Sequence, residues 1–181
     1  MSDEIRDCLR EQVTLHHRGS EAGYGPVRHP ELVVMAVFAQ TPRGATQDTL
    51  GEKSFPSSQL KDAEMSLARR AYISKEDFFQ FVVLPQEPRQ GTLAGVVHAV
   101  AARLRELPYT VVGPQPPLVG RAVCVLDVVS EGDHDSHAVL AYSEAHEALT
   151  AKQKAKIRPL IQADLASVFG RIVSLDDVWG A

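Results

Sequence analysis

The sequence predicts an α+β fold, a single domain over residues 1–181 with a mixed or mostly antiparallel sheet of about four to six strands packed by about four helices. Three observations lead there. Residues 122–130 and 137–143 are apolar runs rich in β-branched and small residues, separated by the polar segment 131–136, which is the pattern of an antiparallel hairpin. Upstream, strand-like runs alternate with segments of helical spacing. Downstream, residues 150–170 read as a long helix. With 44% hydrophobic and 23% charged residues, the 181-residue chain has the proportions of one globular domain.

Residues 3–17 place Ile5, Cys8, Leu9 and Val13 on one helical stripe, with Asp3 and Glu4 in the first turn, where negative charge suits the helix dipole. The glycines and prolines of 19–30 predict an irregular stretch, and Leu32–Gln40 follows as a buried strand, with a helix starting at Pro30 as the alternative, since proline suits the first helical position. Thr41–Ser57 is a long polar connection, a length that usually marks a functional or mobile loop. The stripe Leu60, Ala63, Leu67 and Ala71 predicts a helix from Ser57 or Ser58 to Tyr72, and Phe78–Leu84 reads as a strand closed by Pro85.

Leu93, Val96, Val97, Val100, Leu104 and Leu107 predict the cleanest helix, with His98 and Arg105 on its outer side. Three further prolines make 108–120 a stiff connector. In the hairpin, residues 122–130 are apolar at odd and even positions alike, which predicts a central strand covered on both faces. Thr150 and Gln153 form a capping box, and Pro159 predicts a kink or a break near Arg158. Arg171–Ser174 adds a short edge strand before the tail with Trp179.

Composition narrows the function classes. A net charge of −4 removes a general attraction for nucleic acid. No apolar run reaches the ~18 residues of a membrane span, and the N-terminus lacks the order of a signal peptide. Cys8 and Cys124 read as small buried thiols, which predicts a reducing, cytoplasmic location.

Four clusters carry chemistry worth weighing. His134, Asp135 and His137 are divalent-metal ligand types in the hairpin turn; Glu144, His146 and Glu147 lie beyond the strand, on the order of 20 Å away. Residues Arg89, Gln90, Gly91 and Thr92, placed before a helix expected to begin at Leu93, would offer an anion free backbone N–H groups. Lys152, Lys154, Lys156 and Arg158 gather at the start of the last helix, where positive charge opposes the dipole. Trp179, with Lys152 and Lys156, is the candidate interface, since a desolvated tryptophan carries large contact energy; a terminal tryptophan folded back on its own domain is the alternative.

The histidine turn is more simply a solvated turn, and the basic group a solvated face. His146-Glu147 lacks the second histidine of a zinc-protease helix, because Thr150 stands there. Ser58 and Lys61 match a serine–lysine spacing without its companion motifs. A thiol at Cys124 inside a strand is inert rather than nucleophilic. The resulting expectation is a non-catalytic cytoplasmic module that binds another protein or a second copy of itself, without membrane or nucleic-acid contact. The alternative is an enzyme or sensor binding a small anionic ligand or a divalent metal; no cofactor is implied.

Overall fold

The computed structural model describes residues 27–44, 46–62, 65–113, 116–127 and 134–180. The helix expected at 3–17 lies outside them. The fold is α+β: a five-stranded antiparallel sheet, a two-stranded sheet and seven α-helices among the described residues. The main sheet contains β1 (Leu32–Phe38), β2 (Met65–Arg69), β3 (Leu93–Val100), β6 (Val123–Asp127) and β7 (His137–Tyr142), in the order β3-β1-β2-β7-β6. β4 (Pro108–Val111) and β5 (Leu118–Arg121) form the smaller sheet. The helices are α1 (Ser57–Lys61), α2 (Lys75–Phe78), α3 (Glu87–Gln90), α4 (Ala101–Arg105), α5 (Glu144–Glu147), α6 (Ala151–Phe169) and α7 (Leu175–Trp179).

Alternation along the strands sends side chains to the two faces of the main sheet. Val33, Met35 and Val37 of β1, Leu67, Val97, Val125 and Leu140 pack with Ile157, Ile161, Leu165 and Phe169 of α6. On the other face, Val34, Phe38, Ala68 and Val96 pack with Phe78 and Val83, against which Val178 and Trp179 rest. The hairpin of β6 and β7 forms as expected, with Val125 opposite Leu140 and Leu126 opposite Val139.

Its first strand, however, is an edge and not the centre. β6 is still buried throughout, and Arg105 donates to the outward Val125 carbonyl at 2.7 Å, which occupies the edge that would otherwise template another strand. Arg105 is therefore buried, not on an outer face.

Several elements differ from the sequence reading for one reason: three-four and two-residue spacings overlap in short apolar runs, and strand pairing decides between them. Leu93–Val100 is a strand, because Val97 and Ala99 meet one core and Val96 the other, and only Ala101–Arg105 is helical. The helix from Ser57 ends at Lys61, and Leu67 belongs to β2 between β1 and β7.

Phe78–Leu84 is helical instead. Ser74 accepts from the Asp77 N–H to start α2, and a π-helical turn over Phe79–Val83 continues it, with Leu84 N–H donating to the Phe79 carbonyl at 3.0 Å. The connector 108–120 contains the β4–β5 hairpin. α6 runs unbroken through Pro159, its Thr150–Gln153 capping box in place. Val173 exchanges two backbone hydrogen bonds with Val96, at 2.8 and 2.9 Å, outside β3.

Cys124 is disulfide-bonded, not the free thiol expected, and Cys8 lies outside the described residues. The reducing compartment loses the support it drew from free thiols. Among the described residues, no helix is long and apolar enough to cross a membrane.

Candidate functional site

The sheet is not continuous between β1 and β2. Their register holds only at Val33–Arg69 and Val34–Ala68, where the ladder ends. The phase of the peptide groups follows from the neighbours. Arg69 N–H donates to Ser136 beside β7, so the alternate residues Ala68 and Ser66 turn their peptide groups toward β1. Val96 bonds outward to Val173, so its neighbours Gly95 and Val97 face β1, leaving Val34 and Ala36 to face β2. Ala36 and Ser66 are thus the next pair in phase, yet they are not ladder partners.

Phe38, two residues further along β1, shows what replaces the missing strand. Its N–H donates to Thr41 Oγ1 and its carbonyl accepts from Arg43, both at 3.0 Å. The loop then turns back, with Arg43 bridged to Leu50 and Ser54 Oγ donating to the Pro42 carbonyl at 2.6 Å. Gly51 is needed there, because a Cβ would lie 2.5 Å from the Arg43 carbonyl oxygen.

Beyond the end of the ladder, a cavity of about 290 Å³ opens. Met35 and Ala36 line it from β1, Met65 and Ser66 from β2. Lys53, Ser54, Pro56 and Gln59 close one side, and Val82, Gln86 and Gln90 the other, with Gln40, Thr41 and Pro42 at the strand end. Part of this wall is internally braced: Gln86 donates to the Val82 carbonyl and accepts from the Gln90 amide, each at 2.9 Å. Among the described residues, the lining contains four glutamines and one charged side chain, Lys53, with no carboxylate. Such a cleft suits a small ligand held by many hydrogen bonds and little charge.

A second polar group lies beyond the other end of β7. His146 is fully buried, stacked on Tyr142 at 3.9 Å and edge-on to Tyr109 at 6.2 Å. Its Nδ1 is 3.1 Å from Glu147 Oε1, and Glu147 also accepts from Lys154 at 2.7 Å. Burial pushes the His146 pKa below the ordinary histidine value, so the ring is neutral and donates to Glu147. Tyr142 Oη lies 3.2 Å from Ser57 Oγ. Closed between two rings, this cluster packs the end of the sheet.

The residues singled out from the sequence are dispersed. Among Arg89, Gln90, Gly91 and Thr92, only Gln90 lines the cleft. The helix start that would have served an anion does not exist: Gly91, at φ 78°, ends α3, so carbonyls and not N–H groups face outward, and Leu93 begins a strand.

His134 Nδ1 is 2.9 Å from Ser136 Oγ, and its ring meets Phe81 at 5.2 Å. Asp135 is exposed, and His137 begins β7. No group of three or more histidine, cysteine or acidic residues suited to a metal occurs among the described residues. Lys152 and Lys156 are exposed on α6, whereas Lys154 is paired with Glu147. Trp179 folds onto its own domain: the indole donates to the Ile73 carbonyl at 3.0 Å, lies 5.0 Å from Phe78 and receives Arg70 at 4.9 Å.

No family model, curated protein or solved structure matches this chain.

Lys53, Ser66 and the glutamines other than Gln90 carried no sequence signal, because they come from separate segments without a common spacing. The long connection 41–57 was the one pointer, since it supplies Thr41, Lys53 and Ser54.

Proposed function

We propose that this domain is a non-catalytic binding module whose ligand is a small polar molecule seated between β1 and β2. The observation that carries the reading is that the ladder between two inner strands ends at Val34–Ala68 and a cavity lined by Ala36, Ser66 and amide side chains lies beyond its end. A gap in the middle of a sheet forgoes ladder hydrogen bonds, and a ligand with donors and acceptors would replace them. This is the sensor half of the alternative drawn from the sequence, without its metal.

The test is a thermal-shift screen with small amides, carboxylates and amino acid derivatives. A ligand present at 100 times its dissociation constant stabilises by about 2.7 kcal/mol, a readily measured rise in melting temperature. Ser66→Phe, from an exposed position on the lining, should fill the cleft and abolish the rise. A rise that survives this substitution would place the ligand elsewhere.

A protein-contact reading keeps one specific support. Phe79, Phe81 and Leu84 are 39%, 51% and 39% exposed on one helical turn, a concentration of apolar surface suited to a partner or a second copy. Sedimentation of wild type and Phe81→Ser tests it; identical monomers would remove the self-assembly version.

A further inference from the structure

We infer that the cleft recognises the carboxylate end of an N-acyl amino acid unit, whether a free acyl amino acid or the last residue of a peptide. This rests on the cleft being a ligand site and adds the ligand's chemistry. Three features point to it.

The first is the strand gap. Ala36 and Ser66 are next in phase for a hydrogen-bonded antiparallel pair but are not ladder partners, so their peptide groups are turned toward the space where the ladder has ended. An amide reaching either peptide group would bond to it by the same physics by which sheet edges accept an added strand.

The second is charge. Among the described residues, Lys53 is the one formal charge in the lining, no acidic residue lines the cleft and no ion pair to Lys53 occurs. A ligand carrying one negative group gains a charge-assisted hydrogen bond there, whereas a cationic ligand meets repulsion. The third is the pair Met35 and Met65, which line the cleft from the two strands and offer adaptable apolar contact to a modest side chain.

Together these match a carboxylate, an adjoining amide and a small apolar group. The cavity of about 290 Å³ has room for one such unit. Residues of a longer peptide would continue outside it.

Calorimetric titration of the full chain with N-acetyl-L-alanine and N-acetyl-L-alaninamide tests the inference, beside one hexapeptide carrying a free or an amidated C-terminus. The free acid should bind about tenfold or more tightly than the amide. Lys53→Gln, at an exposed position, should erase that preference while retaining the weaker amide-type binding. Binding of the free acyl amino acid alone identifies a metabolite as the source, and equal binding of the free-carboxylate hexapeptide identifies a chain terminus; both outcomes support the inference.

If acid and amide bind equally well and Lys53→Gln changes nothing, the carboxylate assignment is overturned while the cleft remains a ligand site. If neither compound binds and Ser66→Phe abolishes a thermal shift by some other molecule, the ligand class alone is overturned. Absence of any cleft-dependent binding overturns both readings.

Discussion

Arg69 donates to both carboxylate oxygens of Glu31, from Nε to Oε2 at 2.7 Å and from Nη2 to Oε1 at 2.9 Å, with Arg69 fully buried and Glu31 largely so. Asp127 lies 3.3 Å from the same guanidinium, and Tyr72 covers it at 4.6 Å. The pair ties the start of β1 to the end of β2, beside the only two positions where those strands are in register. It therefore holds closed the end of the strand pair opposite the cleft. Removing Glu31 by Glu31→Ala leaves a buried cation with one fewer partner, at a cost of about 3 kcal/mol. Urea unfolding should show the midpoint fall; an unchanged midpoint would mean that the pair does not secure the strands.

Trp179→Ala distinguishes a tail that docks elsewhere from one that packs at home. The indole is bonded to Ile73 and rests on Phe78 and Arg70, so its loss should lower stability by about 2–4 kcal/mol. The oligomeric state should not change. Sedimentation showing loss of an assembly without loss of stability would reverse this.

A buried neutral histidine makes stability fall in acid. The His146 pKa is lowered in the folded chain by burial, so between that value and the unfolded value of about 6.5 the unfolded chain binds more protons. Stability should thus rise with pH across that window and flatten above it. His146→Phe should remove this contribution to the slope, leaving any contributed by carboxylates. Matching pH profiles for the two proteins from pH 4 to about 7 would show that the ring is not the group responsible.

Gly95 sets how closely the C-terminal strap approaches β3. At φ 149°, a Cβ there would come within 2.6 Å of the Val173 carbonyl and 2.7 Å of Ile172 Cγ2. Gly95→Ala should displace residues 171–173, at a cost of about 1–3 kcal/mol. Hydrogen exchange at the Val173 amide, which donates to Val96, should quicken selectively. Unchanged protection there would contradict the packing described.

These residues also show what a sequence exposes. Strand β1 and the Val123–Tyr142 hairpin were legible because apolar runs are bounded by turn residues, and the Thr150 cap because its partner is three residues away. Leu93–Val100 was not, since valines at helical spacing also alternate between faces, and the choice belonged to β1 and Val173. The edge position of β6 was hidden for a similar reason: its burial depends in part on Arg105, which supplies the edge contact from another element. Only a fragment of the cleft was legible, because a gap between strands depends on where pairing stops, and pairing is not a local property of either strand.

The most direct measurement is a heteronuclear NMR titration of the full chain with N-acetyl-L-alanine. Saturable shifts of the amides of Ala36, Ser66 and Lys53, with His146 and Tyr142 unmoved, are the expected result. Shifts centred on residues outside the cleft, or none at millimolar ligand, would contradict the account.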